Sequence, residues 1–222
     1  MSTPENIAEV NDRMVRAGFP FYRETLWNTL GDMPLRTAVR MLLATQRHRD
    51  KLSIVDVGCG CGDDLQLFKT LLRLNDFAGE ISLHGCDLSP EMIRICHLRK
   101  LEGVEQGDFL VDSLSLPQAD LLWCHFVLVH ITPDKLDAAI LRCASLALTN
   151  GVVGFGFKTG NDETRIDPAD ERVPVDREVT FHNPETVKSE LAKYSLKVIA
   201  DIYIPSQDPT YSYCWILTSK TS

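Results

Sequence analysis

The glycines at residues 58–62 are the feature of this chain with the clearest chemistry. The letters GCGCG directly follow the apolar run IVDV and precede a segment of helical periodicity. Glycine has no Cβ, so such a turn lets a ligand approach main-chain amides at the start of a helix. The third glycine of a G-x-G-x-x-G dinucleotide fingerprint would fall on Asp63. The turn therefore predicts a ligand site but departs from the NAD pattern.

A carboxylate closes the next apolar run, in the letters CDLS at residues 86–89. In open α/β sheets an acid at this place accepts hydrogen bonds from ribose hydroxyls. Together, the glycines and Asp87 predict a cofactor that contains a nucleoside. The alternative is that the glycines form only a tight turn and that Asp87 only caps the following helix.

These residues need a sheet to position them. Short runs dense in Val, Ile, Leu and Phe predict buried strands at residues 53–57, 81–86, 121–127 and 152–157. Helical periodicity lies between them at residues 64–74, 90–101 and 133–148, with Ser89 and Thr132 as expected N-caps. Strands alternating with helices are typical of a parallel sheet that is covered on both faces.

The last third of the chain breaks this rhythm. Residues 159–183 are polar and charge-dense, which predicts a long loop of the kind that forms lids. A helix at residues 184–194 and strands at 196–204 and 211–219 follow, the two strands as an antiparallel pair at the end of the sheet.

Length and charge set the outer limits. The chain has 222 residues, 31 acidic and 23 basic side chains and a net charge of −8, which is typical of one domain and unfavourable for coating nucleic acid. Residues 1–20 lack the apolar core of a secretory signal, and no apolar run approaches the roughly 20 residues that span a bilayer. Seven cysteines, an odd number, indicate reduced thiols. We expect a cytoplasmic monomer or homodimer without membrane association.

The motifs as a set resemble those of the class I S-adenosylmethionine-dependent methyltransferases. The matching letters are VDVGCGCG at residues 55–62, CDLSPEM at 86–92 and GDF at 107–109, followed by the fourth-strand segment 119–130. The resemblance implies an α/β, Rossmann-like sheet of seven strands with the last strand antiparallel. It also implies a methyltransferase domain at residues 51–222, with residues 1–50 as an N-terminal helical cap of the same unit.

The resemblance further implies S-adenosylmethionine as the cofactor and S-adenosylhomocysteine as its product. Asp56 and the glycine turn would surround the methionine end, Asp87 would hold the ribose, and Asp108 with Phe109 would contact the adenine. The residues so assigned to the cofactor are Asp56, Gly58, Cys59, Gly60, Asp87, Leu88, Asp108, Phe109 and Cys124.

A narrower likeness is to a bacterial branch of small methyltransferases. The branch has a Tyr and a Thr before an Asp-Met pair, a Phe-Lys-x-Gly motif followed by Glu and Arg, and a late Trp. The matching residues here are Tyr22, Thr25, Asp32, Met33, residues 157–160, Glu163, Arg165 and Trp215. Residues 166–175 depart from the pattern, and the branch implies no single substrate.

The methyl acceptor needs mainly to be aligned with the methyl group, and a base is required only if it must first lose a proton. We identify His125 and Lys158 as candidate catalytic residues, His125 because an imidazole titrates near pH 6.5. The alternative for His125 is a histidine that is hydrogen-bonded within the strand-end loop. The fourth-strand segment lacks the Asp/Asn-Pro-Pro-aromatic motif of similar methyltransferases that act on adenine and glutamine amines, which disfavours methylation of nucleic-acid amines.

The acceptor pocket is expected between the cap and the 159–183 segment. We assign Tyr22, Trp27, Arg165 and Arg177 to the substrate, since cations there can hold a carboxylate or a phosphate. Equally, the aromatic residues are expected in plain packing, and nearby acids in ion pairs with the cations. The cysteines form no C-x₂-C pair, so we expect no metal site.

The sequence thus favours methyl transfer to an oxygen or nitrogen atom of a small molecule. Three alternatives remain open: an RNA or protein methyltransferase, an NAD-dependent oxidoreductase, and a protein that holds the cofactor without catalysis.

Overall fold

The computed structural model describes residues 3–16, 32–111, 114–168, 176–206 and 208–221. Its helices are α1 Pro4–Arg16, α2 Met33–Gln46, α3 Asp63–Leu74, α4 Pro90–Leu98, α5 Leu136–Leu146 and α6 Pro184–Lys193. Its strands are β1 Lys51–Val57, β2 Glu80–Asp87, β3 Val104–Gln106, β4 Ala119–His125, β5 Ala147–Lys158, β6 Glu163–Asp167, β7 Arg177–Phe181, β8 Leu196–Pro205 and β9 Ser212–Lys220. Two 3₁₀ turns cover Leu128–His130 and Pro133–Lys135.

Seven strands form the main sheet in the order β3-β2-β1-β4-β5-β9-β8. The neighbours from β3 to β5 pair in parallel, and β9 runs antiparallel to both β5 and β8. This confirms the expected α/β fold with its last strand antiparallel. The chain order reverses between β1 and β4, and ligands bind at the carboxyl ends of strands that flank such a switch point.

Apolar cores lie on both faces of the sheet, as the alternation of strands and helices predicts. On one face, Leu122 and Phe155 pack with Ile140 of α5 and Leu191 of α6. On the other face, Trp123 and Trp215 pack with side chains of α2, α3 and α4. The helices between successive strands pack on these cores and so hold the strand ends in place.

Several element boundaries differ from the sequence prediction. β3, with only three residues, was not among the predicted strands because so short a run carries no readable pattern. β4 ends at His125 because Phe126 adopts a positive φ of 57°. α4 ends at Leu98, and Lys100 at φ 62° turns the chain back so that the Leu101 amide donates to the Cys96 carbonyl.

The two expected N-caps have different outcomes. The Ser89 hydroxyl accepts a hydrogen bond from the Met92 amide, as an N-cap does. Thr132 precedes a 3₁₀ turn and makes no side-chain capping bond, so its expected role is wrong. The difference arises because α5 itself begins at Leu136, one turn later than the pattern predicted.

The prediction of a plain loop over residues 159–183 is wrong for its two ends. β6 and β7 pair as a separate antiparallel hairpin, with Asp167 opposite Arg177. Backbone bonds between Gly160, His182 and Lys158 attach the hairpin to the end of β5. The pattern of apolar residues does not predict these charged strands, because the hairpin lies outside the main sheet and most of β6 is exposed.

The described part of residues 1–50 forms α1 and α2, so it is helical as expected. α1 lies against α4, where the Ser89 hydroxyl donates to the Asp12 carboxylate. Tyr22 and Trp27 lie outside the described residues. No helix in the described part of the chain is long and apolar enough to cross a membrane.

Candidate active site

The three glycines of the turn after β1 differ in the space that surrounds them. All three adopt positive φ angles: 68° for Gly58, 51° for Gly60 and 78° for Gly62. A Cβ on Gly58 would lie 2.2 Å from Val127 Cγ2, and one on Gly62 would lie 2.2 Å from Leu101 Cδ1. A Cβ on Gly60 would meet no atom within 4 Å. Packing therefore requires Gly58 and Gly62, whereas Gly60 faces open space.

Asp87 joins this turn to the end of β2. Its Oδ2 accepts a hydrogen bond of 2.9 Å from the Gly60 amide, and its Oδ1 accepts one of 2.9 Å from the Ser89 amide. Burial raises the pKa of Asp87, while these two amide bonds act in the opposite direction. The Asp87 carboxylate thus accepts a hydrogen bond from a backbone amide at the start of α4, as the alternative of a capping role predicts. It also lines a cavity.

That cavity contains about 800 Å³ of space, part of it open to solvent, at the carboxyl ends of β1, β2, β3 and β4. α1 forms its outer wall through Pro4, Ile7 and Asn11. Six of the residues that the sequence singled out lie together in its lining: Gly58, Asp87, Leu88, Asp108, Phe109 and His125. A nucleoside cofactor is expected to bind where these residues meet.

Asp108 and Phe109 line the cavity just after the end of β3. The Gly107 amide donates to the Asp87 carbonyl at 3.0 Å, which places the end of β3 beside the end of β2. Asp108 Oδ1 accepts the Leu110 amide at 2.9 Å, so its carboxylate is held by the local turn. Phe109 is buried and presents an apolar surface to the cavity.

Asp56 lies in β1, two residues before Gly58, and does not line the cavity. Its Oδ1 is buried and has no hydrogen-bond partner among the described residues. Burial, then repulsion by Asp64, raises the pKa of Asp56 well above its usual range. A cationic group at this point would supply the missing partner, and the amino group of a methionine moiety has that charge. This pairing stays a prediction because Asp56 lies outside the cavity lining, whereas Asp87 and Asp108 in the lining supply carboxylates that fit the nucleoside part of such a cofactor.

The cysteines near the turn act as small packing residues. The Cys96 thiol donates to the Gly60 carbonyl at 3.2 Å, and burial raises the pKa of Cys61 to about 11. Cys124, which the sequence assigned to the cofactor, is fully buried beside Cys143 and away from the cavity lining. Its predicted contact stays a prediction. The described residues contain no cluster of histidine, cysteine or acidic side chains suited to a metal ion.

Phe126 is the most unusual backbone position of the site. A bulky residue at φ 57° is an outlier, and such strain concentrates at functional sites. Its amide donates to the Gly156 carbonyl at 2.8 Å, which holds the sharp turn after β4. Its ring stacks on His125 at 4.4 Å and meets Tyr213 and Trp215 edge-on at 5.6 and 5.7 Å. The strained turn places an aromatic surface at the cavity wall.

His125 is held by a carboxylate that the sequence analysis missed. Asp64 Oδ2 accepts hydrogen bonds from His125 Nδ1 at 2.8 Å and from Trp123 Nε1 at 2.9 Å. Trp123 and His125 are two residues apart on β4, so both reach the same face of the sheet, where α3 begins. The position of Asp64 in the first turn of α3 is the only local sign of its role that the sequence offers, because its partner His125 on β4 lies 61 positions away in the chain.

Lys158 lies at the end of β5 and is only 7% exposed. Its ammonium donates to Asp167 Oδ2 at 3.0 Å, and Arg177 Nη2 donates to the same oxygen at 2.9 Å. The pairing of an acid with these bases, which the sequence left open, is thus present at Asp167. Arg165 is exposed, stacks on Phe181 at 4.1 Å and donates to the Thr210 hydroxyl at 3.0 Å.

His130 connects the cavity to this cationic pair. It lines the cavity, and burial, followed by the positive charges of Arg177 and Lys158, lowers its pKa from 6.5 to about 4. The imidazole is therefore neutral at neutral pH. A base with a lowered pKa in the folded state stabilises the fold above its unfolded pKa, and that stability falls as the pH drops toward the folded pKa.

We expect this histidine to give the protein a measurable pH dependence. Between pH 6.5 and pH 4, wild type should lose about 1–3 kcal/mol more unfolding free energy than His130→Gln, since each pKa unit corresponds to about 1.4 kcal/mol. Urea denaturation across this range measures the difference. His48→Gln, at an exposed position, is the matched control. Equal pH slopes for wild type and His130→Gln would show that His130 titrates as it does in the unfolded chain.

Comparison with known proteins gives one family and several relatives. A family model described as "Methyltransferase domain" matches residues 55–153. A carboxy-S-adenosyl-L-methionine synthase of Campylobacter hominis is 23% identical over 165 residues, which cover 73% of this chain and 63% of that protein. A ubiquinone biosynthesis O-methyltransferase of Xanthomonas campestris is 33% identical over 106 residues, 45% of this chain and 40% of that protein.

Among solved structures, the fold matches that of 1,6-didemethyltoxoflavin-N1-methyltransferase from Burkholderia thailandensis. The two share a TM-score of 0.61 and 17% identity, covering 100% of this chain and 92% of the other. That enzyme was crystallised with 1,6-didemethyltoxoflavin and S-adenosylhomocysteine. The present chain spans less than two thirds of the length of the curated relatives described above.

Proposed function

Because the chain belongs to the class I S-adenosylmethionine-dependent methyltransferase superfamily, we propose that it transfers a methyl group to an oxygen or nitrogen atom of a small-molecule acceptor. The observation that carries this proposal is the cavity in which Gly58, Asp87 and Asp108 meet His125. When bound, S-adenosylmethionine supplies an electrophilic methyl group on a sulfonium. The chain itself must bind this cofactor, align the acceptor and remove a proton where the acceptor carries one.

Three carboxylates each bind a different part of the cofactor. Asp56, with its unpartnered buried oxygen, receives the amino group of the methionine end. Asp87 accepts hydrogen bonds from the ribose hydroxyls, since each carboxylate oxygen keeps a second lone pair beside its amide bond. Asp108 and Phe109 bind the adenine just after the end of β3. Gly60 leaves the space through which the cofactor approaches the backbone of the turn.

His125 is the residue we propose as the general base. Asp64 holds its Nδ1, which fixes the ring orientation and stabilises the imidazolium that forms when Nε2 accepts a proton. Phe126, stacked on the ring, prevents it from rotating away from the acceptor. Positioning of the acceptor lone pair supplies much of the remaining rate.

The enclosure of the cavity supports a small acceptor. α1 closes one side, in line with our proposal that residues 1–50 form a cap on the domain at 51–222. The structural relative above was solved with a small heterocycle bound, which agrees with this size class. All seven cysteines are free and buried, which supports a reducing cytoplasmic setting.

A ligand comparison tests the cofactor. S-adenosylhomocysteine should raise the melting temperature of the protein, whereas NAD should leave it unchanged. Release of S-adenosylhomocysteine from S-adenosylmethionine is then measured over panels of small phenols, acids, amines and heterocycles, with RNA and protein extracts as separate arms. Stabilisation by NAD alone would contradict the proposal. Turnover with RNA or protein alone would move the acceptor to a macromolecule.

The turn glycines give a matched pair of variants. Gly60→Ala should cost about 1–2 kcal/mol of unfolding free energy through its positive φ, and it should weaken S-adenosylhomocysteine binding about 10-fold by filling the open space. Gly58→Ala should cost about 3 kcal/mol or more, because its Cβ also collides with Val127. Calorimetric titration and urea denaturation separate the two effects. An unchanged cofactor affinity in Gly60→Ala would place the cofactor elsewhere.

A further inference from the structure

Arg99 directly follows α4 and joins the glycine turn to the start of α3, although it does not line the cavity. Its Nη1 donates to the Cys61 carbonyl at 2.8 Å and to Asp63 Oδ1 at 2.7 Å. A guanidinium Nη carries two hydrogens, so this single nitrogen supplies one to each acceptor. Arg99 therefore fixes a carbonyl of the turn relative to the first turn of α3.

Other groups at the end of α4 contact the turn beside Arg99. The chain reverses after α4, where the Leu101 amide donates to the Cys96 carbonyl at 3.0 Å. The Cys96 thiol in turn donates to the Gly60 carbonyl at 3.2 Å. Leu101 packs so closely on Gly62 that a Cβ there would lie 2.2 Å from its Cδ1. With Arg99, the end of α4 thus contacts three successive residues of the turn.

The turn needs such contacts because its own sequence gives it little rigidity. Three of the five residues at 58–62 are glycines with positive φ angles, and glycine loses more conformational freedom on ordering than any other residue. A ligand that binds a loosely held turn must supply the free energy of ordering it. A turn that is ordered in advance avoids this cost and binds its ligand more tightly.

Among the hydrogen bonds from α4 and Arg99 to this region, those of Arg99 are the stronger by type. A guanidinium bond to a carboxylate is charge-assisted, whereas a thiol is a weak donor. The side chains of Arg99 and Asp63 are 25% and 28% exposed, so water screens the pair only in part. Loss of Arg99 should therefore loosen the turn more than loss of the Cys96 thiol.

We propose that Arg99 is a positioning residue for methyl transfer, which holds the glycine turn in the conformation that binds S-adenosylmethionine. It acts through the Cys61 carbonyl and Asp63, from outside the cavity lining. This assignment rests on the proposed function, because the ligand of the turn is the proposed cofactor.

Replacement of Arg99 by methionine removes both hydrogen bonds and keeps an unbranched apolar stem. The affinity for S-adenosylhomocysteine should fall about 10-fold, and the KM for S-adenosylmethionine should rise by the same factor. The kcat should stay within about twofold of wild type, because Arg99 does not act on the acceptor. Arg99→Lys keeps the charge and its donors, so it should bring the affinity back to within about threefold of wild type. Isothermal titration and turnover with the acceptor found in the panel measure these values.

The sign of the change separates positioning from a direct effect of charge. S-adenosylmethionine carries a positive sulfonium, so removal of a nearby cation would by itself strengthen its binding. Tighter binding of S-adenosylmethionine by Arg99→Met would therefore overturn the assignment. Arg94→Met is the matched control, since Arg94 also lies on α4, is exposed and pairs with Glu91. It should bind both ligands as wild type does.

Hydrogen exchange separates local order from global stability. In the ligand-free protein, the amides of residues 58–63 should exchange about 10-fold faster in Arg99→Met, while those of β9 exchange as in wild type. An unchanged affinity for S-adenosylhomocysteine, with faster exchange in both segments, would mean that Arg99 only stabilises the fold and would overturn the assignment.

A variant of the partner carboxylate covers the case in which Arg99→Met does not fold. Asp63→Ala leaves Arg99 with only the Cys61 carbonyl and should weaken binding of S-adenosylhomocysteine about threefold. A wild-type affinity in Asp63→Ala would then overturn the assignment. Failure of the wild-type protein to bind S-adenosylhomocysteine would instead contradict the methyltransferase proposal itself.

Discussion

Replacement of Asp87 by alanine is expected to lower the affinity for S-adenosylhomocysteine by about 100-fold. Two hydrogen bonds from ribose hydroxyls to a carboxylate are each worth about 1.5 kcal/mol or more, and a tenfold change corresponds to about 1.4 kcal/mol. The variant also leaves the Gly60 and Ser89 amides without their acceptor, so the glycine turn keeps its backbone bond from Cys59 to Cys86 but loses its second attachment to β2. Isothermal titration measures the affinity.

Stability must be separated from binding in this experiment. Asp87→Asn keeps the size of the side chain and one acceptor oxygen, so it should fold more stably than Asp87→Ala and still bind weakly. Glu102→Ala, at an exposed position before β3, removes a carboxylate of the same charge and should bind as wild type does. A wild-type affinity in both Asp87 variants would show that the ribose lies elsewhere.

Replacement of His125 by alanine should leave cofactor affinity within about twofold of wild type and lower turnover by about 10²–10⁴-fold, the range of general-base catalysis. His125 lies on the cavity wall, but our proposal assigns the binding of the cofactor to groups at the ends of β1, β2 and β3. The readout is release of S-adenosylhomocysteine with the acceptor found in the panel. Equal turnover in wild type and variant would indicate an acceptor that needs no base.

Asp64→Asn tests how His125 is held. The amide oxygen can still accept from Trp123 Nε1 and His125 Nδ1, so the fold should be retained. The lost negative charge should lower kcat about 10-fold or more, with KM little changed, because the imidazolium is less stabilised. The acid limb of the turnover–pH profile should move to lower pH, because loss of the neighbouring negative charge makes the imidazole a weaker base. A purely structural Asp64 would change stability without moving the profile.

Features that depend on residues close together in the chain could be predicted from the sequence. The glycines at positive φ, the run of buried strands and Asp87 at the end of β2 each have a local pattern, and their order gives the parallel sheet. The β6–β7 hairpin did not follow, because cross-strand pairing between charged residues such as Asp167 and Arg177 has no hydrophobic signature. The end of β4 was misplaced because strain at Phe126 depends on the carbonyl of Gly156 in another strand.

The sequence by itself determined the fold class, the cofactor turn and the candidate carboxylates. Only the tertiary structure decided which side chains meet: Asp64 with His125, and Lys158 with Arg177 at one oxygen of Asp167. The physical reason is the separation along the chain between the residues that determine each feature. Backbone preference and the pattern of apolar residues are local properties of the sequence, whereas a contact of 2.8 Å between residues 61 positions apart depends on strand register and on where α3 begins.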